Sequence, residues 1–354
     1  PGMTDELPEP DRLPGAPHPR MADAFYGQKA AETSFLEAYT SGRLHHAWLI
    51  TGPRGVGKAT LAWRIARFLL AEPAGDGGLF GEPPAPETLD TAPEHPAVRR
   101  ARALSEPRLF LLRRAWDDKS KRLKTEITVD ETRKLHGFFG LSAPDGGRRV
   151  VIVDAADEMN VSAANAILKI LEEPPANATI LLVCHRPARI LPTIRSRCRE
   201  LRCTPLSQDD LAHVLAQSGA EAPDPSLAAL SGGSAGAAFS LMQEDGAALY
   251  AEIMSLVATA PTLDRPRAIK LADAAAGRGK EPRRDLTLHL LELHLARLAL
   301  AGAGAPPLQE AAPGEAAHLA RLSPDPAAAR QWAGLQQELS DRAGHGLAVN
   351  LDPS

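Results

Sequence analysis

The chain has 354 residues, 44% of them hydrophobic and 24% charged, with a net charge of −4. That length admits two or three domains with ample core for each, and the near-neutral balance gives no global pull toward nucleic acid or a membrane. Three cysteines without a C-x-x-C pair (Cys184, Cys198, Cys203) exclude a disulfide framework or a four-cysteine zinc site and fit a cytoplasmic setting.

The chain opens PGM, with Met3 read as the native start. Residues 1–20 are rich in proline and charge and are expected to form a disordered arm. No signal peptide is read there, and no apolar run reaches the roughly 18 residues of a membrane span. From Asp23 an amphipathic helix is expected to lead to the short apolar run HHAWLITG, which suits a buried parallel strand. The glycine-rich GPRGVGKAT follows. Next comes KATLAWRIARFLL, with Leu61, Ile65, Phe68 and Leu69 on helical spacing. Residues 73–96 read as an irregular insertion. Residues 99–124 hold ten Lys/Arg against three acids, which leaves two readings open: a solvated face, or contact with DNA phosphates aided by Phe110 and Trp116. Thr128 and Glu131 form an expected capping box for a helix to Phe139. Val150–Val153 reads as a second buried strand ending in Asp154, Ser162 as the cap of the next helix, and ATILLVCHRP as a third strand. Strands alternating with helices predict an α/β fold with a parallel sheet flanked by helices.

Beyond Pro205 and the expected cap Ser207 the chain is rich in Ala and Leu, with no strand pattern and a loop at Gly232 and Gly233. The run RDLTLHLLELHLARLAL is apolar nearly all round and predicts a helix buried among other helices. His289 and His294 lie five apart, the wrong spacing for a helical ligand pair, and are read as bundle residues.

Strand, glycine loop and helix come in the order that a phosphate cradle requires. Gly52, Gly57 and Lys58 meet the G-x-x-x-x-G-K-[ST] pattern, with Gly55 and Val56 between them, but Ala59 stands where a Ser or Thr hydroxyl binds magnesium. Thr60 is one position on, about 100° round a helix axis, and is not expected to face the same ion. The loop is therefore competent for phosphate through its N–H groups and Lys58, and weakened for the metal. At the end of the second strand, ATP-hydrolysing P-loop proteins carry a metal-binding Asp followed by a water-activating Glu. Here Asp154 is followed by Ala155, and Asp157 and Glu158 are expected to face elsewhere.

The ordered set YGQ (26–28), GRLHHAWLITGPRGVGKAT (42–60), VVIVDAADEMN (150–160), NAILKILEEPP (165–175) and SRC (196–198) resembles the bacterial clamp-loader AAA+ family, more narrowly its DNA polymerase III delta-prime branch. The resemblance covers residues 21 to about 245. It implies an AAA+ domain at 21–205, a small helical lid at 206–246 and an all-α collar at 247–354 that joins subunits into a hetero-pentamer. The implied partners are motor subunits and delta, with the sliding clamp and primed DNA reached through the complex, and no membrane. It also implies a role for Arg197 of the Ser196–Arg197–Cys198 motif as a finger to the γ-phosphate of ATP held by a neighbour.

Departures from the family pattern matter equally. His185 falls near the sensor position usually held by Thr or Asn, the lid arginine falls on Gly236, and residues 61–149 hold no cysteine for a zinc module, so no zinc is expected. The loop is expected to admit ATP or ADP, with or without magnesium, without hydrolysis. The resulting expectation is a subunit of the DNA polymerase III holoenzyme that completes its neighbour's site without an ATPase activity of its own. The competing reading is an active AAA+ ATPase, a motor subunit.

Overall fold

Three short runs, AWLIT, RVVIVD and ATILLV, are buried almost throughout. Strands so apolar on both faces require a sheet covered on both sides. The computed structural model describes residues 8–13, 16–72, 85–140, 147–220, 223–277 and 279–348. They divide into two compact units, 1–210 and 211–354.

In chain order the first unit contains α1 (Lys29–Thr40), β1 (Ala47–Thr51), α2 (Lys58–Ala71), α3 (Pro96–Arg102), β2 (Leu109–Arg113), β3 (Trp116–Asp117), β4 (Arg122–Leu123), α4 (Val129–Gly140), β5 (Arg149–Asp154), α5 (Val161–Glu172), β6 (Ala178–Val183), α6 (Pro192–Arg195) and β7 (Arg199–Arg202). The five-stranded sheet has the order β2-β5-β6-β1-β7 and every pairing in it is parallel. β3 and β4 form a separate antiparallel hairpin. The strand period of two splits the core. Trp48, Ile50, Val150 and Ile152 pack with Phe35, Leu61 and Ile65 on one face, and Leu49, Val151 and Val153 pack with Ile167 and Leu171 on the other. Each fully buried Leu or Ile of this kind contributes about 1.5–3 kcal/mol.

Several expectations need correction. The first helix begins at Lys29, not near Asp23. Residues 8–13 and 16–20 of the expected disordered arm pack on the domain. Glu9 pairs with Arg20 and Arg113, Asp11 with Arg113 and His18, and His18 meets Trp63 edge-on. The charges that read as a solvated tail are thus matched by opposite charges on the sheet edge. Thr128 Oγ1 makes no hydrogen bond and Glu131 pairs with Lys134, so the capping box is not formed. Asn160, not Ser162, caps α5, its side chain accepting from Ala163 N at 2.9 Å. Ser207 does cap its helix, accepting from Asp210 N. Much of the expected insertion, 73–84, lies outside the described residues.

The helix α7 (Gln208–Gln217) crosses the division between the units, and the second unit continues with α8 (Pro225–Ser231), α9 (Ala235–Gln243), α10 (Gly246–Val257), α11 (Arg265–Ala275), α12 (Glu281–Gly302), α13 (Glu315–Leu322) and α14 (Pro326–Ala348). Leu227, Leu230 and Leu241 share one apolar cluster with Leu249, Leu290, Leu298 and Leu319. The segments expected as separate lid (206–246) and collar (247–354) therefore draw on a common core.

That core holds a polar chain. Arg297 forks onto Glu315 at 2.7 and 2.8 Å, and Glu315 also accepts from Ala311 N and from the Tyr250 hydroxyl. Tyr250 lies 3.0 Å from His294 Nδ1, and His294 Nε2 lies 3.1 Å from His318 Nε2. Because Tyr250 donates to the carboxylate, His294 donates from Nδ1 and accepts at Nε2. Among the described residues His294 is a bundle residue, as expected; His289 sits on the exposed side of α12.

Burial, then the neighbouring His318, pushes the His294 imidazole down to about 4. An unfolded chain would take up that proton near the ordinary histidine value, so the stability that neutral His294 carries is lost as pH falls from about 6.5 toward 4. Thermal unfolding is expected to show His294 contributing about 2 kcal/mol to the loss between pH 7 and pH 5. His294→Asn, which does not titrate, will flatten that fall; identical pH dependence in both proteins would exclude His294 as its source.

Candidate functional site

The phosphate loop leaves the carboxyl end of β1 and enters α2 at Gly57, whose φ of +100° is left-handed. A side chain there would also press on the Phe25 ring, 3.1 Å from the position of its Cβ. Gly52 has φ +138°, and a Cβ would run into the carbonyl of Cys203 just beyond β7. Glycine is thus required at both places by backbone conformation and close approach. Lys58 is buried, and its Nζ donates to the carbonyl of Gly52 at 2.7 Å and to that of Pro53. Burial pushes its ammonium down to about 8.

The loop is held from outside by Gln28, the last residue of the YGQ motif. Its carboxamide donates to Val56 O at 3.0 Å and to Thr204 O at 2.7 Å, and accepts from Thr204 N at 2.9 Å. Sequence reasoning quoted the motif without this role. The glutamine's place just before α1 was the available signal.

Asp154 ends β5 and is buried, and burial pushes its carboxyl up to about 8, reinforced by the charges of Asp11 and Glu158. Ala155 follows and is buried. Asp157 is turned to the exit of β6, where it accepts from His185 N at 2.8 Å and from Arg186 Nε at 3.2 Å. Glu158 pairs with Arg114 at 2.8 Å. Both acids are thus held by structural partners. His185 does stand close to the loop: burial first, then the charge of Lys58, pushes its imidazole down to about 4, and its Nδ1 has no hydrogen-bond partner.

The helix N-terminus and loop amides fit a phosphate group. A magnesium–ATP pair set for hydrolysis fits poorly, because the side chains of Ala59 and Ala155 carry no polar atom to hold the metal or to activate a water. Thr60 lies within α2, one residue beyond Ala59.

Arg197 stands apart from this pocket, directly after α6. Its Nη1 donates to Thr193 O at 2.8 Å, its Nη2 lies 2.9 Å from Glu172 Oε1, and about a third of the side chain is exposed. Ser196 Oγ bonds Thr193 O. Cys198 packs against the core, and burial raises its thiol to about 12 and those of Cys184 and Cys203 to about 12 and about 11. All three are inert packing thiols. Gly236 lies buried in α9 of the second unit. Of the ten cations in 99–124, Arg100, Arg102, Arg108, Arg113 and Arg114 form ion pairs with acids of their own unit. Phe110 packs in a tilted arrangement against Phe138.

A carboxyl raised on folding carries stability at low pH that is lost as pH rises from about 4 to 8. Asp154→Asn does not titrate and is expected to be more stable than the parent at pH 7, by on the order of 2–4 kcal/mol. The advantage will vanish near pH 4. Thermal melts of both proteins across that range measure it; an asparagine variant less stable at pH 7 would mean an ionised, paired Asp154.

Comparison with known proteins follows the same lines. The family model described as "DNA polymerase III, delta subunit" matches residues 27–207. The DNA polymerase III subunit delta' of Pseudomonas aeruginosa is 39% identical over 221 residues, 60% of each chain. That of Escherichia coli is 32% identical over 212 residues, 59% of this chain and 58% of its own. The match thus spans about 60% of the length of these curated relatives. Among solved structures, the RuvB Holliday junction branch migration motor of Thermotoga maritima aligns over 80% of this chain and 79% of its own at 15% identity, with a TM-score of 0.41. With its family model matched over half of its length, and with relatives named delta' at 39% and 32% identity, the chain belongs to the DNA polymerase III delta-subunit family.

Proposed function

We propose that the chain is a delta'-type clamp-loader subunit that does not hydrolyse ATP and supplies Arg197 to ATP held by a neighbouring subunit. The observation that carries this reading is an asymmetry. On the loop side, Ala59 and Ala155 put methyl groups where a metal-binding hydroxyl and a water-activating carboxylate would stand. On the other side Arg197 keeps a planar, charged fork partly in solvent, held by Thr193 O, Glu172 and, at 3.5 Å, Ser196 Oγ. A guanidinium at the γ-phosphate neutralises charge that develops in phosphoryl transfer, and such fingers are worth about 10³–10⁵ in rate. The helical second unit takes the part of the collar that assembles the ring. Sliding clamp and primed DNA are met through the complex. The cradle around Gly55 and Lys58 serves as a fixed phosphate or nucleotide seat, with ATP or ADP as occupant.

A steady-state assay on the purified chain is expected to show negligible ATP turnover. Ala155→Glu will not restore it, because Ala59 still offers no metal ligand. Turnover at the rate of an ordinary motor subunit would favour the alternative, an active ATPase.

Arg197→Ala is expected to leave folding and assembly intact, since the side chain is partly exposed and its ion pair is open to water. In reconstituted complexes it will lower hydrolysis at the one site it serves by a factor on the order of 10³ and slow clamp loading with it. Arg197→Lys will be a poor substitute, because a point charge lacks the bidentate fork. Unchanged loading and ATPase rates in the Arg197→Ala complex would remove the arginine from the mechanism.

A further inference from the structure

Glu172 occupies the last turn of α5, where the helix dipole presents its negative end. A carboxylate there works against the helix, so its placement needs another reason. The charge that answers it is Arg197, from the turn after α6, with Nη2 2.9 Å from Glu172 Oε1. The other terminal nitrogen, Nη1, donates to Thr193 O at 2.8 Å. The guanidinium is thus fixed at two points from two different elements. Both side chains remain well exposed, 36% for Arg197 and 43% for Glu172. An ion pair so open to water contributes little to stability. It is also cheap to exchange for another anion. What it does supply is orientation, since a free arginine side chain samples many rotamers and loses that freedom when it engages a phosphate.

We propose that Glu172 is the positioning residue of Arg197: it holds the guanidinium in a fixed place beside α6 in the free subunit and yields it to the terminal phosphate of a nucleotide on the neighbouring subunit. The inference rests on the reading of Arg197 as a finger in trans. Glu172 touches no reacting atom and acts only through the arginine. Its carboxylate is a placeholder for the phosphate, because both present paired oxygens to the same planar fork.

The test is a double-mutant cycle in the reconstituted complex, with ATP as substrate. The readout is the part of hydrolysis that Arg197→Ala removes. Glu172→Ala is expected to lower kcat for that part three- to tenfold and leave KM for ATP unchanged, because nucleotide binding belongs to the neighbour. Glu172→Gln, whose side-chain carbonyl still accepts from Arg197, will recover most of the loss. In an Arg197→Ala background, Glu172→Ala will have no further effect. Thermal unfolding of the Glu172 variants will match the parent, which separates positioning from damage to the fold. An equal loss from Glu172→Ala in both backgrounds would overturn the proposal, since the residue would then act by another route. No loss from Glu172→Ala where Arg197→Ala does cause one would also overturn it, while leaving the finger intact. If neither substitution has an effect, the finger reading itself fails and the positioning role with it.

Discussion

A single buried carboxamide joins the two ends of the phosphate site. Gln28 reaches Val56 in the loop and Thr204 beyond β7, residues 28 and 176 positions away in sequence. It needs both halves of its amide: the NH₂ satisfies two carbonyls and the oxygen receives the Thr204 N–H. A glutamate there would set a carboxylate against two carbonyl oxygens, and an asparagine would fall a methylene short. The shape of the loop follows from this tie, because the carbonyl of Val56 is fixed before Gly57 turns the chain into α2. The glycine at 52, pressed on Cys203, holds the loop's other end to the same edge of the sheet.

With the cradle built so firmly, the replacements within it stand out as chemical and not architectural. Ala59 and Ala155 occupy their places without disturbing a strand or a helix. Lys58 folds onto loop carbonyls, and Asp154 is burdened with a proton by desolvation. A seat that keeps its backbone while alanine replaces two polar side chains can still present a rigid surface. Arg197 stands elsewhere on the same scaffold, just after α6.

How much of this was legible in the sequence depends on where each signal lies. β1, β5 and β6 are interior strands, so their residues face apolar neighbours on both sides and read as unbroken apolar runs. β7 reads RELR, buried only at Leu201, and lies at one edge of the sheet. β2 lies at the other edge, and its LFLLR was hidden inside a stretch dominated by charge. The loop residues are contiguous and were readable, whereas the Gln28–Thr204 tie and the Glu172–Arg197 pair join distant segments that only the fold brings together. The N-terminal segment misled for a related reason: composition records that Glu9, Asp11 and Arg20 are charged, but not that Arg113 and His18 await the acids. Helix caps at Thr128 and Asn160 turned on backbone geometry that a residue type alone does not settle.

The polar chain within the second unit has a further consequence for how that unit can vary over time. His318, His294 and Tyr250 donate in turn toward Glu315, which Arg297 meets from the other side, and each member fixes the tautomer or charge of the next. Removing one of them strands a buried partner, a cost of about 3–5 kcal/mol where that partner is charged. Replacing the whole set by well-packed apolar side chains carries no such cost. Lineages that depart from this arrangement will therefore do so in blocks, α10, α12 and α13 changing together, and the intermediates that differ at one position will be the rare ones.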